Sequence, residues 1–291
     1  SGRMAFTTDS YVVQPTFFPG GNIGKLAVCG TVNDLAMNGA VPQYLSCGLI
    51  LEEGLPFDEL EEILSTMADM AKLANVQIVT GDTKVVKKGE VDKIYINTAG
   101  IGMIPEDIHI SPNFVKPNMD IILSGSIGDH SIAVMGERFG LELSNSIKTD
   151  CAPLNHMVHE VLQEVGPQVA LLRDPTRGGV GTVLKEIAEQ SQVGIKVEES
   201  QFVIHDEVKS VCDILGYDPL YLANEGKCIF VVDPTVTDRV LDILHGFQEG
   251  REATRIGVTM DKNIGKVGLQ TSIGGVRLVD LLGEDQVPRI C

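Results

Sequence analysis

Three aspartates from separate segments are the residues of this chain best suited to chemistry: Asp9 in Thr8-Asp9-Ser10, Asp34 after Asn33, and Asp82 in Thr80-Gly81-Asp82-Thr83-Lys84. Magnesium takes hard oxygen ligands, usually one or two carboxylates plus phosphate oxygens, so three carboxylates brought together could share metal ions over a triphosphate. Lys84, two residues beyond Asp82, could then meet remaining phosphate or substrate charge. Taken singly, each Asp serves equally well as the cap of a turn or helix.

Two glycine-bearing stretches could complement such a site. Pro19-Gly20-Gly21-Asn22-Ile23-Gly24-Lys25 is an amide-rich turn before a helix, the arrangement that aims backbone N–H groups at an anion, although its spacing is not that of a P-loop. Asp174-Pro175-Thr176-Arg177-Gly178-Gly179 precedes an amphipathic pattern, with Arg177 as a forked donor for phosphate. Asp174 with Pro175 also makes an acceptable helix start, but two adjacent glycines at a helix opening cost roughly 1 kcal/mol each relative to alanine, which favours a ligand. Glu225, between Asn224 and Gly226, is a general base if buried and a solvated turn residue if not. His130, in Gly128-Asp129-His130, reads as structural.

Of the six cysteines, Cys29, Cys47, Cys212 and Cys228 lie among apolar neighbours and read as small core residues, and no C-x-x-C pair suggests a closed zinc site. Cys291 differs. A thiol at the very end of a tail containing Pro288 and Arg289 can travel to a site and leave again; an inert exposed thiol or an intermolecular disulfide is the plainer alternative. Prenylation would need the cysteine fourth from the end.

These residues need a scaffold, and 291 residues at 43% hydrophobic and 22% charged describe a folded chain of two domains sharing an interface. No apolar run approaches a membrane helix and no export signal opens the chain, so a cytoplasmic protein is expected. A net charge of −17 without basic runs argues against nucleic acid as a partner. An acidic chain that binds ATP needs a divalent cation between its carboxylates and the phosphates.

Strands are expected at Met4 to Thr8, Tyr44 to Leu51, Gln77 to Thr80 and Lys93 to Met103, with helices across Val28 to Asn38 and Phe57 to Asn75. In the second of these, Leu60, Ile63, Leu64, Met67, Met70, Ala71 and Ala74 follow the i, i+3, i+4, i+7 rule. Three prolines between 105 and 117 mark a linker. Beyond it lie a strand at Asp120 to Ser124, helices near Ile132 to Phe139, Asn155 to Val165, Gly179 to Gln190, Asp206 to Leu215 and Val236 to Gly246, then strands at Lys227 to Val232 and across Ala253 to Val279. The mixture is α+β (mixed α/β): a first domain over 1–110, a second over 118–282, and a mobile tail over 283–291.

The segments Phe6-Thr7-Thr8-Asp9-Ser10-Tyr11, Phe17 to Ala27, Tyr44-Leu45-Ser46-Cys47-Gly48, Thr80-Gly81-Asp82-Thr83-Lys84 and the ending Pro288-Arg289-Ile290-Cys291 together closely resemble the HypE family of hydrogenase maturation proteins. The likeness runs over practically the whole chain. It implies the two-domain aminoimidazole ribonucleotide synthetase-like fold with a flexible C-terminal tail, shared with selenophosphate synthetase and thiamine-monophosphate kinase, and a homodimer joined through the first domains. It also implies ATP at the domain cleft, with Mg2+ held by the matching Asp9, Asp34 and Asp82, near Gly20, Gly21, Asn22, Asp174, Arg177, Gly178 and Gly179.

The implied reaction is an ATP-dependent dehydration. A carbamoyl group delivered to Cys291 by a HypF-like carbamoyltransferase becomes a thiocyanate, whose cyanide passes through a HypC–HypD-like complex to the iron of a [NiFe]-hydrogenase. Glu225 is then the leading base and Lys84 an orienter or second proton carrier. Members of the family usually carry a further N-terminal segment with a His-Gly-x-Gly-Gly-type turn over the nucleotide; this chain begins after it, so weakened ATP affinity is expected. Rival readings are a small-molecule kinase of the same superfamily and a non-catalytic carrier in a maturation complex.

Overall fold

Strand pairing divides the computed structural model, which describes residues 2–140, 147–282 and 286, into a four-stranded and a seven-stranded sheet. The expected mobile tail, apart from Gln286, lies outside the described residues, and so does Cys291.

The first sheet has the order β1-β6-β4-β5, with β1 (Gly2–Tyr11), β4 (Val41–Glu52), β5 (Gln77–Val86) and β6 (Ile94–Pro105). β2 (Phe17–Phe18) and β3 (Gly21–Asn22) form a small hairpin before α1 (Ile23–Met37). On one sheet face lies α1, with α2 (Phe57–Leu73) against it. The first turn of α2 carries Asp58 and Glu59, suiting the helix dipole, and its buried stripe is Ile63, Met67 and Ala71. α1 is buried on nearly every side. A helix covered all round has no need of an amphipathic stripe, which is why only its later part is legible by periodicity.

The second sheet runs β13-β12-β9-β11-β7-β10-β8. Its strands are β7 (Asp120–Leu123), β8 (Val169–Arg173), β9 (Gly194–Glu198), β10 (Ile229–Val232), β11 (Thr254–Met260), β12 (Val267–Gln270) and β13 (Val276–Val279). β7 and β10 are buried at every position because helices cover both faces. Alternate side chains then serve opposite layers. Ile121, Leu123, Ile229 and Val231 pack with α5 (Gly179–Gln190), while Ile122, Phe230 and Val232 pack with α4 (Asn155–Val165) and α7 (Thr237–His245).

The two domains meet through a continuous apolar core. Leu26, Val28 and Val32 of α1 share a cluster with Ile132 and Met135 of α3 (Asp129–Phe139) and with Val208 and Val211 of α6 (Asp206–Leu215). The second core-forming face of α1 therefore belongs to the other domain.

The elements depart from the sequence expectations in three places. α1 begins at Ile23, five residues early, because Asn22 caps it. β5 continues through Gly81 to Val86, so Asp82 lies within a strand; Asp9 and Asp34 also lie inside β1 and α1 rather than at element edges. β8 and β9 were not expected as strands: each is five residues long, too short for alternation to stand out. Among the described residues no helix is long and apolar enough to cross a membrane.

Candidate active site between the two domains

β1 turns Thr7, Asp9 and Tyr11 toward α1, and α1 turns Asp34 back toward them. Thr7 Oγ1 donates to Asp34 Oδ2 at 3.0 Å. From the second domain, the loop after β8 brings Asp174 and Arg177 into the electrostatic reach of Asp34. Burial first, then the charge of Asp174 and that of Asp9, push the Asp34 carboxyl up to about 7, against the opposing pull of Thr7 and Arg177. Burial also raises Asp174, with Asp9 adding to the effect. Arg173 opposes the rise at Asp174 as Arg177 does at Asp34, yet both carboxyls stay raised, so the balance of burial and like charge at this boundary favours a cation.

Tyr11 forms the inner wall. Its hydroxyl bonds Thr31 Oγ1 at 3.1 Å, Thr31 bonds Thr98 at 2.5 Å, and Thr98 donates to the Ala27 carbonyl at 2.7 Å. Burial raises the phenol well above its usual range, with Asp9, Asp34 and Glu225 adding like charge. Glu225 therefore belongs to the same electrostatic neighbourhood. It is 5% exposed, which removes the solvated-turn reading. Asn224 beside it is fully engaged: Oδ1 accepts from the Gly128 N–H, and Nδ2 donates to the Pro175 and Leu222 carbonyls. One side chain ties the Glu225 segment to the loops that carry Asp174 and begin α3.

The glycines are explained by geometry. Gly178 and Gly179 have φ of +73° and +64°, and a Cβ on Gly179 would stand 2.5 Å from the Leu222 carbonyl oxygen. Only glycine meets both demands; α5 starts without a side-chain cap, although the Gly179 N–H already donates to the Thr176 carbonyl at 3.1 Å. The turn at Gly20 and Gly21 is less open. Asn22 accepts from the Gly24 and Lys25 N–H groups, Ile23 N–H donates to the Thr16 carbonyl, and Gly20 lies against Lys148 and Thr149. Much of its amide surface is committed to starting α1.

Asp82 and Lys84 stand apart. Following the register from Asp9 through Thr98 and Cys47 to Gly81 crosses three strand spacings, about 14 Å. In register with Gly48 and Ile50, they fall on the outward face of the sheet, opposite to Asp9. Among the described residues no group of three or more His, Cys, Asp or Glu is placed to enclose a metal. Magnesium does not require such a cage, since phosphates and water complete its shell.

Sequence reasoning passed over Tyr11, Asn33, Asp150 and Lys227. Tyr11 stood in the quoted segment beside Asp9, but nothing in its spacing showed that it would face inward. His130 is buried and bonds Thr149 Oγ1 at 2.8 Å, as a structural residue does. Cys29, Cys212 and Cys228 are buried, and Cys47 is half-buried.

Family models for the AIR synthase related protein match at residues 1–104 (N-terminal domain) and 116–270 (C-terminal domain). The carbamoyl dehydratase HypE of Rhizobium leguminosarum bv. viciae is 49% identical over 291 residues, covering 100% of this chain and 83% of that protein. HypE of Escherichia coli (strain K12) is 45% identical over 289 residues, covering 99% and 85%. A crystal structure of HypE in complex with ATP superposes with a TM-score of 0.96 at 46% identity, over 100% of this chain and 88% of that one. A HypE–HypF complex gives 0.92 at 46% identity, over 96% and 90%.

The acidic cluster sets a pH dependence. Asp34 has a folded pKa of about 7 against an ordinary value of 3.8, so between those values the unfolded chain ionises it while the folded chain keeps its proton. The Asp34 contribution to the stability of the nucleotide-free protein is accordingly fully present below about pH 4 and is lost as pH rises through about 7. Asp34→Asn keeps an acceptor for Thr7 and removes the charge. Thermal melts should show the variant roughly 6 °C above wild type at pH 8, with the gap closing near pH 4; equal melting temperatures at pH 8 would contradict the cluster.

Proposed function

Because the chain belongs to the AIR synthase related family and, within it, to the HypE carbamoyl dehydratases, we propose an assignment of roles in an ATP-dependent dehydration serving hydrogenase maturation. The chain is a carbamoyl dehydratase, and ATP is its co-substrate. The observation that carries the residue assignment is the meeting of Asp9, Asp34, Asp174, Arg177 and Glu225 where the two domains join.

ATP lies in this cleft, its phosphates against Arg177 and the uncapped start of α5 at Gly178 and Gly179, with the turn of Gly20, Gly21 and Asn22 bordering it. The raised carboxyls of Asp34 and Asp174, with Asp9 beside them, fit a hard divalent cation. Asp9 and Asp34, with Asp174 beside them, would hold Mg2+, which supplies charge neutralisation to the phosphates. The S-carbamoyl group on Cys291 presents its carbonyl oxygen to the γ-phosphorus; ADP leaves and an O-phosphorylated imidate forms. Of the two amide N–H protons, one passes to solvent as the imidate forms, and loss of the other with departure of phosphate gives the C≡N bond. Glu225 takes the proton whose removal accompanies expulsion of phosphate.

The outward face of the first sheet supports a homodimer. Met4 and Phe6 are each 68% exposed there, with Tyr44, Ile50 and Ile101 beside them, a contiguous apolar surface of the kind that interfaces cover. A second copy laid on this face places Asp82 and Lys84 at the subunit boundary, where Lys84 can orient substrate. Phe6→Asp should shift the protein to monomer in sedimentation; a wild-type chain already monomeric at micromolar concentration would contradict the dimer.

A HypF-like carbamoyltransferase fits as donor, since a HypE–HypF complex has the same fold at 46% identity. A HypC–HypD-like complex would receive the cyanide, and the cytoplasm is the compartment that suits both. The kinase reading lacks a role for a terminal thiol, and the carrier reading lacks one for the buried Glu225.

Glu225→Gln keeps size and hydrogen bonding but removes the base. Intact mass of the carbamoylated, ATP-treated protein should retain the added ~43 Da without the later loss of ~18 Da seen in wild type. Thiocyanate formed at the wild-type rate would remove Glu225 from the mechanism.

A further inference from the structure

Glu225 is held by both of its main-chain polar groups. Its N–H donates to Asp150 Oδ1 at 3.1 Å, and its carbonyl accepts from Asn33 Nδ2 at 3.3 Å. The same Asn33 side chain donates to the Ala152 carbonyl at 3.0 Å and accepts from the Leu154 N–H at 2.8 Å. A single residue of α1, adjacent to Asp34, thus joins the 150–154 loop to the Glu225 segment across the domain boundary.

Asp150 closes the other side. Its side chain is 4% exposed, its Oδ2 makes no hydrogen bond, and Lys227 Nζ stands 3.5 Å away with its own side chain 10% exposed. Between Glu225 and Lys227, Gly226 is pressed on the loop so closely that a Cβ would lie 1.8 Å from the Asp150 carbonyl oxygen. A buried ion pair of this kind is weak evidence for stability, because desolvation offsets its attraction. Its geometric effect is definite: carboxylate and ammonium grip the chain on either side of Gly226. The pair also borders a cavity of about 360 Å³ lined by Ser126, Asp129, Lys148 and His205, so substitutions there need not overfill the site.

We propose that Asp150 and Asn33 are positioning residues that fix the main chain of Glu225 from opposite sides, with Lys227 facing the other carboxylate oxygen of Asp150 so that Oδ1 stays turned to the Glu225 N–H. This rests on Glu225 acting as the base. A base must come within about 3 Å of its proton, and a displacement of about 1 Å costs on the order of 100-fold in rate.

The test uses the carbamoylated full chain with ATP and measures thiocyanate formation, the KM for ATP and the thermal melt. Asp150→Ala should lower kcat roughly 100-fold while leaving the KM for ATP within about twofold. The neutral pair Asp150→Asn with Lys227→Met, which keeps an amide oxygen for the Glu225 N–H and removes both buried charges, should recover at least ~10-fold over Asp150→Ala. Wild-type kcat in Asp150→Ala, or a loss expressed as raised KM for ATP at unchanged kcat, would overturn the proposal. If Asp150→Ala gives no cooperative melt, the neutral pair decides alone: a native melt with turnover below a hundredth of wild type counts against the clamp, and turnover above a tenth supports it. Glu225→Gln measured alongside separates the two ideas. Full activity there removes the base assignment and this inference together, whereas an inactive Glu225→Gln with a fully active Asp150→Ala removes only the clamp.

Discussion

Negative charge gathered at a domain boundary, with too little positive charge to balance it, is the constraint around which this molecule is arranged. Asp9 and Asp34 come from the first domain and Asp174 from the second, with Arg177 acting on Asp34 and Arg173 on Asp174 as the opposing cations. In low-dielectric surroundings like charges a few ångströms apart cost several kcal/mol, and the free protein relieves that cost by keeping a proton on Asp34. In the proposed reaction a metal-bound triphosphate would relieve it as well. The fold tolerates the strain because a continuous apolar core, with α1 at its centre, holds the two domains in register on either side of the cleft.

The same placement of α1 explains why so many polar roles fall on one helix. Its buried faces serve the sheet, α2 and the second domain, and the few polar side chains it carries point where those surfaces meet. Thr31 supports the Tyr11 hydroxyl, Asn33 joins the loops around Glu225, and Asp34 accepts from Thr7 of β1. A helix with such a distribution cannot slide without disturbing Tyr11, the Glu225 segment and the acidic cluster together. The uncovered face of the first sheet differs: Met4, Phe6, Tyr44, Ile50 and Ile101 remain exposed there, which is the observation behind the proposed homodimer.

Much of the fold was legible in the sequence. α4, α5 and α6 begin and end where their apolar periodicity does, and the proline-rich stretch after β6 separates the two sheets. The extent of β5 was not legible, since a strand exposed at every interior position offers no alternation to read, and Thr80-Gly81-Asp82 has the composition of a turn. The Gly178-Gly179 pair pointed toward a ligand, yet its left-handed backbone and its contact with the Leu222 carbonyl account for both glycines on packing alone. Asp150 and Asn33 escaped notice for a simpler reason. Their partners are 75 and 192 residues away in sequence, and no local pattern encodes a contact of that separation.

The central claim is that Asp34 keeps a proton in the free protein and surrenders it when metal and nucleotide arrive. Calorimetric titration of Mg·ATP at about pH 6, repeated in buffers of different ionisation enthalpy, measures that proton directly. Wild type should release close to one proton more per site than Asp34→Asn. An identical proton count for the two proteins would show that the buried carboxylates do not gather around the nucleotide.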